Sequence, residues 1–306
     1  MRIGPSTVRA RWGAVAMTWV NAVIEGILLG GLYALFACGL SLMFGVMRII
    51  NLAHGDLALL GTFMIMVVSQ HLGLSPFAAL VIVLPGAAAV GYALQMGILQ
   101  RGMRGGELAP LLATFGLSVV IGNLLLEIFS ADTHSLSAGA LTTASWQISS
   151  QLSIPALGVL IFAVAVLVLG GLQLFLSRTS LGRAMRATAD DPGTAELVGI
   201  NSRRVYATAS AIAIASAALA GMFFGMRSSF DPTLGPAQLI FAFEAVVIGG
   251  LGSLWGTLVG GIILGVAQTV GAQIDPAWSI LSGHILFLAV LAFRSGGIFT
   301  AREVRV

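Results

Sequence analysis

Long apolar runs dominate this sequence, and several of them reach the length of a membrane-spanning helix. A helix needs about 20 mostly apolar residues to cross the hydrocarbon core of a bilayer. Hydrophobic residues make up 58% of the 306 residues and charged residues only 9%, whereas an ordinary soluble domain carries roughly 25% charged residues. Because so few charges cannot cover a water-exposed surface, we expect most of the outer surface to face lipid.

Nine segments qualify as spanning helices, and eight is the main alternative count. They cover residues 19–44, 55–68, 75–99, 108–129, 154–176 and 205–226, two helices within 239–270, and 276–293. The stretch 239–270 is too long for one span and is interrupted by glycines. The predicted fold is therefore all-α, a polytopic membrane helical bundle of about 8–9 transmembrane helices. Residues 1–18 are predicted to form a polar N-terminal arm, 19–293 the transmembrane domain and 294–306 a C-terminal tail.

The arginines predict the orientation, because short cytoplasmic loops of membrane proteins are enriched in Lys and Arg. The loop 177–204 contains five arginines, whereas the loop 130–153 contains neither Lys nor Arg. The first loop is therefore predicted to be cytoplasmic and the second to lie outside. Nine spans then place the N-terminus outside and the C-terminus inside. Arg2, Arg9 and Arg11 break the rule in this topology, and one span more or fewer would restore it.

A polar segment, Arg48-Ile-Ile-Asn51-Leu-Ala-His54-Gly55-Asp56, separates the first two apolar runs. One interpretation is non-helical backbone that is buried or lines a wet cavity, where polar groups inside a membrane are often functional. The other is an ordinary cytoplasmic turn in which Asp56 caps the next helix. Asn51, His54, Gly55 and Asp56 are the candidate pathway residues of this segment.

The cytoplasmic loop is predicted to carry a short helix that docks onto a partner. Asp190 suits its N-cap, Pro192 its first turn and Gly199 its end. A solvated linker is the alternative, although about 28 residues exceed the usual length of a loop. The predicted docking residues are Asp190, Asp191, Pro192, Ala195, Glu196, Leu197 and Gly199.

A glycine-rich segment follows Phe243-Glu244 and predicts either irregular backbone at a functional cavity or a cytoplasmic turn. Its candidate pathway residues are Glu244, Gly249, Gly250 and Gly252. The sequence has no Lys, so it cannot form the phosphate-binding loop GxxxxGK[ST], and any ATPase must be a separate polypeptide. Glu25, Glu127 and Glu244 lie within spans and could carry protons or form structural hydrogen bonds.

The sequence gives little support for an enzyme, a metal site or nucleic-acid binding. The four histidines, His54, His71, His134 and His284, have no metal-ligand spacing. No nucleophile has a convincing base partner, and no basic patch with interleaved aromatics is present. We therefore expect no catalytic residue, no metal and no cofactor in this chain.

Three motifs resemble the LivH-type permease subunits of branched-chain amino acid ABC importers. The first runs from Gly26 through Tyr33, Gly39 and Gly45 to Asp56. The second is Leu181-Gly-Arg-Ala-Met-Arg-Ala187, and the third is Val246-Val-Ile-Gly-Gly-Leu-Gly-Ser-Leu-Trp-Gly256. The resemblance covers residues from about 22 to 293, in the same order as in the family.

The resemblance implies an ABC-importer permease fold in a bacterial inner membrane, and it implies partners. These are a second related permease subunit, two cytoplasmic ATPases that hold ATP and Mg, and a periplasmic solute-binding protein. Residues 190–199 match the region that couples the permease to the ATPase, and Asn51, His54 and Asp56 match a signature segment. The implied solute is a branched-chain or other hydrophobic amino acid, with urea or a short amide as the alternative. A stand-alone secondary transporter or channel, using the carboxylates within the spans, is the alternative from another class.

Overall fold

A computed structural model describes residues 5–106, 108–149, 152–294 and 296–299, with side chains described from Met17 onward except at residues 104, 149 and 152. Eleven helices form a bundle within these residues. They are α1 (Pro5–Met47), α2 (His54–Leu72), α3 (Pro76–Leu94), α4 (Leu108–Phe129), α5 (Ala156–Arg178), α6 (Ser180–Asp190), α7 (Pro192–Leu197), α8 (Ser202–Arg227), α9 (Gly235–Gly249), α10 (Leu254–Ile274) and α11 (Trp278–Phe293). Helix α3 continues through a π-helical turn, Gln95–Leu99, and one further turn, Gln100–Gly102.

Nine of the eleven helices lie at the nine predicted segments, and α6 and α7 lie in the loop 177–204. Seven helices in the described part of the chain are long and apolar enough to cross a membrane, and α9 and α11 are shorter apolar helices. The structure differs from the predicted all-α fold by one antiparallel hairpin in the loop that lacks Lys and Arg. Its strands are β1 (Ser145–Ser149) and β2 (Leu152–Pro155). Helix α1 extends back to Pro5, into the predicted polar arm. Most of the predicted C-terminal tail lies outside the described residues.

Helices α1 and α8 form the centre of the bundle. Both are mostly buried, and α1 packs against α5, α8, α9 and α10, whereas α3, α4 and α5 are mostly exposed. Helices α1 and α10 approach closely where Gly26 and Gly30 face the backbone of Val266 and Ile262. Small residues let membrane helices approach in this way, and helix association in lipid depends on such close packing.

Candidate functional site

The polar segment after α1 folds back into the membrane. Helix α1 ends at Met47, the chain reverses at Arg48 with a φ of 55°, and α2 begins at His54. The Nε2 atom of His54 lies 2.9 Å from the carbonyl oxygen of Phe36. Phe36 precedes the end of α1 by about eleven residues, or ~16 Å along the helix axis. Helix α2 therefore begins well inside the span of α1.

Burial decides between the two interpretations of this segment. Asn51, His54 and Asp56 are all buried, so an exposed cytoplasmic turn is wrong. The side-chain oxygen of Asn51 accepts a hydrogen bond from the Ala53 amide at 3.0 Å. This oxygen takes the place of the carbonyl that an amide would bond to in a helix. Asp56 does not cap α2, because the helix begins two residues before it and Ala53 holds the cap position.

A second interrupted helix meets the first. After α8 ends at Arg227, the chain pairs with the loop 130–153 through two backbone hydrogen bonds of 2.8 Å between Phe230 and His134. It then returns into the bundle and starts α9 at Gly235, whose backbone lies directly against Gly55. Helix α9 has 15 residues and is about 22 Å long. That length is less than the ~30 Å hydrocarbon core, so α9 covers only part of the span.

Asp56 lies where the N-termini of α2 and α9 meet. Its carboxylate contacts the backbone position of Gly235 and accepts a hydrogen bond of 2.5 Å from the Ser118 hydroxyl of α4. Helix N-termini carry partial positive charge, which complements a carboxylate. In many transporters such half-helix N-termini point at an anionic group of the substrate. Here the carboxylate of Asp56 occupies that position and links three helices.

Glu244 forms a second polar contact within the bundle. Its Oε1 lies 2.5 Å from Nδ1 of His284 in α11, and its other oxygen is buried without a hydrogen-bond partner among the described residues. The ring of Phe241 stacks on His284 and also contacts Tyr33. The Tyr33 hydroxyl donates to Oε1 of Gln268 at 2.5 Å. Sequence reasoning missed His284, Tyr33 and Gln268, since these contacts join residues far apart in the chain.

The other two acids within the spans have different surroundings. Glu25 accepts a hydrogen bond of 3.0 Å from the Asn21 amide, one helical turn away on α1. Glu127 is exposed near the end of α4. In the described part of the chain neither shares a hydrogen-bond partner with Glu244. The structure therefore does not connect the three carboxylates into a relay.

The glycine-rich segment is a turn between α9 and α10. Gly250 and Gly252 have φ values of 110° and 81°, which favour glycine because a side chain is strained there. The turn lies beside Gly45, near the end of α1. The C-terminal residues close over it, since Phe299 donates its amide to the carbonyl of Gly249 at 3.0 Å. The segment is a turn at the same end of the bundle as the end of α1, and Gly252 in this turn also lines a small cavity.

The loop 177–204 folds into α6 and α7. Gly182, Met185 and Thr188 form the buried face of α6, and they are spaced so that they share one side of a helix. The α7 cap is Asp191 rather than the predicted Asp190, which is the last residue of α6. The Asp191 carboxylate accepts hydrogen bonds from the amides of Gly193 and Thr194 at 2.9 and 3.2 Å and from the Thr194 hydroxyl at 2.5 Å.

Helix α7 presents an apolar tip to the solvent. Leu197 is 88% exposed and Val198 74% exposed, whereas Ala195 is only 3% exposed. Ala195 therefore packs inward, and its predicted place on the docking surface is wrong. The chain turns at Gly199, which has a φ of 85°, as expected for a glycine that ends a helix. We call Leu197 and Val198 the α7 tip.

Replacing Asp191 with Ala is expected to loosen α7. Loss of such a cap costs about 1 kcal/mol, so amide exchange in residues 193–198 should become roughly fivefold faster. Hydrogen–deuterium exchange measures this rate, with Asp190→Ala as the matched control. Equal effects of the two substitutions would contradict the assigned cap.

The cap should also depend on pH. Hydrogen bonds from Thr194 hold the pKa of Asp191 below its usual value. A carboxylate with a lowered pKa stabilises its structure above the usual aspartate pKa, and the stabilisation is lost as the pH falls through the lowered value. The full stabilisation of α7 by the Asp191 carboxylate is therefore present at neutral pH.

Comparisons with known proteins agree with this architecture. A family profile described as "Branched-chain amino acid transport system / permease component" matches residues 22–290. The chain is 33% identical to the high-affinity branched-chain amino acid transport system permease protein BraD of Pseudomonas aeruginosa, and 28% identical to LivH of Escherichia coli. Each alignment covers 94% of this chain and 97% of the other protein.

A third relative is the permease protein LivM of Escherichia coli. It is 25% identical over 90% of this chain and 71% of that protein. The profile covers most of the chain, and the BraD alignment covers nearly all of both sequences. The chain therefore belongs to the family of permease components of branched-chain amino acid transport systems.

Proposed function

We propose that this chain is a membrane permease subunit of an ATP-driven ABC importer, and that it translocates branched-chain or other hydrophobic amino acids. The relatives BraD and LivH are named as permeases of high-affinity branched-chain amino acid transport systems. Their similarity over nearly the full length supports the same solute class for this chain. A solute-binding protein outside the membrane would deliver the amino acid, and the membrane would be the bacterial inner membrane.

The observation that carries this proposal is the α7 tip on an arginine-rich loop. Leu197 and Val198 are adjacent apolar side chains exposed outside the spanning helices, and we infer that a protein partner covers them. The buried face of α6 fixes the loop to the bundle, so a force on α7 reaches the membrane helices. An ATPase with an apolar groove is the partner that would use such a connection.

The remaining partners follow from the same proposal. LivM is itself named as a permease protein of a branched-chain amino acid system, and its similarity to this chain supports pairing with a second, related permease subunit. Two ATPases and one solute-binding protein would complete the importer. ATP and Mg would bind to the ATPases.

Transport in proteoliposomes tests the proposal. The tagged chain is purified in mild detergent with its bound partners, which are identified by mass spectrometry, and the complex is reconstituted with the solute-binding protein. We expect ATP-dependent uptake of radiolabelled leucine and no uptake of urea. Uptake of urea would show that the transported solute is urea and not a hydrophobic amino acid. Uptake without ATP would contradict the ABC mechanism.

Replacing Glu244 with Gln distinguishes ATP-driven import from proton-coupled transport. Gln keeps the shape and can still bond to His284, so ATP-dependent leucine accumulation should stay within about threefold of the wild type, the cost of one weakened hydrogen bond. A carrier that used Glu244 to move protons would lose accumulation completely. Uptake with and without a proton ionophore measures the difference, and Glu127→Gln is the matched control at an exposed position.

A further inference from the structure

A histidine side chain is half-exposed in the middle of the apolar helix α11. The side chain of His284 is 37% exposed. Helix α11 has 16 residues and is about 24 Å long, less than the ~30 Å hydrocarbon core of a bilayer. His284 lies about 9 Å from one end of this helix and about 14 Å from the other. Its imidazole is therefore at a depth where lipid offers no hydrogen-bonding group.

Contacts on the inner side of α11 fix the orientation of the helix. The Ser282 hydroxyl donates a hydrogen bond of 2.8 Å to the Ala267 carbonyl of α10, and Gly283 is buried against the same helix. Nδ1 of His284 contacts the Glu244 carboxylate inside the bundle. Helix α11 therefore cannot rotate to bury the rest of the imidazole without breaking these contacts.

The second ring nitrogen of His284 is accessible from outside the bundle. Nε2 has no hydrogen-bond partner among the residues that the structure describes, and it does not belong to their buried polar atoms. Nε2 accepts a hydrogen bond when the ring is neutral with its proton on Nδ1, and it donates one when the ring is charged. Ionisable groups within membrane spans almost always face protein or a wet cavity. The exposed imidazole therefore indicates that something other than lipid covers this side of α11.

The other residues on this side of α11 are apolar. Ile280, Leu288 and Leu291 share one side of the helix with His284, and they are 54%, 59% and 40% exposed. Bulky aliphatic side chains above and below His284 disfavour a water-filled cavity. One polar group among apolar neighbours is instead typical of a contact between membrane helices, in which polar side chains hydrogen-bond across the interface. We call these four residues the α11 face.

We propose that the second, related permease subunit covers the α11 face and places a hydrogen-bonding side chain beside Nε2 of His284. The choice of partner rests on the proposed function. Of the partners named there, the ATPases lie in the cytoplasm and the solute-binding protein lies outside, so only the second permease reaches the depth of His284. One polar contact in an apolar interface also selects the partner, because a mismatched partner leaves the imidazole unpaired.

Photo-crosslinking in the assembled importer tests the surface. The photoreactive amino acid p-benzoylphenylalanine is placed at Ile280 or Leu288, and at Leu167 of α5 or Val81 of α3 as controls. Both control positions are 72% exposed, more than either position on α11. We expect the two α11 positions to crosslink to a second permease subunit, which mass spectrometry identifies by its similarity to this chain. The two controls should crosslink to lipid.

The crosslinked products distinguish the ways in which the proposal could fail. Products with lipid alone from Ile280 and Leu288, or equal protein crosslinking from all four positions, would overturn the α11 face as the interface. A product with a second copy of this chain would overturn the choice of partner. If no second permease co-purified, the proposed function itself would be contradicted. Leucine import by a permease pair that lacks these crosslinks would count only against the α11 face.

Thiol labelling distinguishes an interface from a wet solute pathway. Cys38 is the single cysteine of the sequence and is fully buried, so it should give little background. Leu288→Cys in the assembled importer should not react with a charged maleimide that cannot cross the membrane. Ile148→Cys in the exposed hairpin is the positive control. Labelling of Leu288→Cys as fast as that of Ile148→Cys would overturn the interface in favour of a wet pathway.

Substitutions measure how much the α11 face contributes to pairing. Leu288→Trp adds bulk without changing the contact between His284 and Glu244, and it should weaken the permease pair at least about 5-fold. Leu167→Trp should leave the pair unchanged. His284→Leu should weaken the pair about 3- to 20-fold, the range for hydrogen bonds between membrane helices, although it also removes the partner of Glu244. Co-purification over a dilution series in detergent gives the apparent Kd, and equal values for Leu288→Trp and Leu167→Trp would contradict the proposal.

Discussion

Replacing Leu197 with Asp is expected to abolish ATP-dependent uptake while leaving the permease folded. Leu197 is 88% exposed, so its removal costs the fold little, and exposed substitutions usually change stability by less than about 0.5 kcal/mol. In a complex, the new carboxylate would be buried in an apolar groove without a partner, which costs several kcal/mol. We expect the ATPase to be retained at least about 100-fold more weakly.

Co-purification of the ATPase with tagged permease measures this effect, together with uptake in proteoliposomes. Val198→Asp should act in the same direction, since Val198 belongs to the same tip. Ile148→Asp is the matched control, because Ile148 is an exposed branched residue in the hairpin of the loop 130–153. It should not change ATPase retention. If Leu197→Asp retained the ATPase as well as Ile148→Asp, the α7 tip would not be the docking surface.

The approximate positions of the apolar helices could be predicted because they depend on local composition, whereas helix α6 and the hairpin were not predicted. A run of apolar residues long enough to span a bilayer has few alternatives to a helix, since the backbone must satisfy its own hydrogen bonds in lipid. The α7 helix was predictable for the same reason, from cap and stop residues next to each other in the chain. The one-residue error at its cap arose because Asp190 and Asp191 are both suitable before Pro192, and only the backbone conformation selects Asp191.

The sequence indicated the first interruption, at residues 48–56, only as one of two interpretations, and the meeting of α2 with α9 could not be predicted, because it depends on contacts between distant residues. Ser118 bonds to a carboxylate that lies 62 positions away, and His284 to one that lies 40 positions away. A single sequence contains no signal for such pairs. The early start of α9 had a weak signal in Gly235-Pro236, which suits a helix N-terminus. The depth of that start in the bundle follows only from the approach of Gly235 to Gly55.

Replacing Asp56 with Ala is expected to be the most damaging single change within the membrane. The substitution leaves the Ser118 hydroxyl without its acceptor and removes the buried carboxylate that lies against Gly235, where the N-termini of α2 and α9 meet. Loss of a hydrogen bond to a charged group costs about 1.5–3 kcal/mol, and loss of a favourable charge at a partly buried helix N-terminus costs up to about 2 kcal/mol. The combined loss is about 1.5–5 kcal/mol, a large share of the stability of a typical domain.

Graded variants separate the two contributions. Asp56→Asn keeps an oxygen that can accept from Ser118 but removes the negative charge, so its melting temperature in detergent should lie between those of Asp56→Ala and the wild type. Ser118→Ala removes the hydrogen bond to the charged carboxylate and should cost about 1.5–3 kcal/mol. Glu127→Ala, at an exposed acid, should melt like the wild type. If Asp56→Asn and Asp56→Ala also melted like the wild type, the carboxylate would not hold the two half-helices together, and the junction of α2 and α9 would depend on the close packing of Gly55 and Gly235 alone.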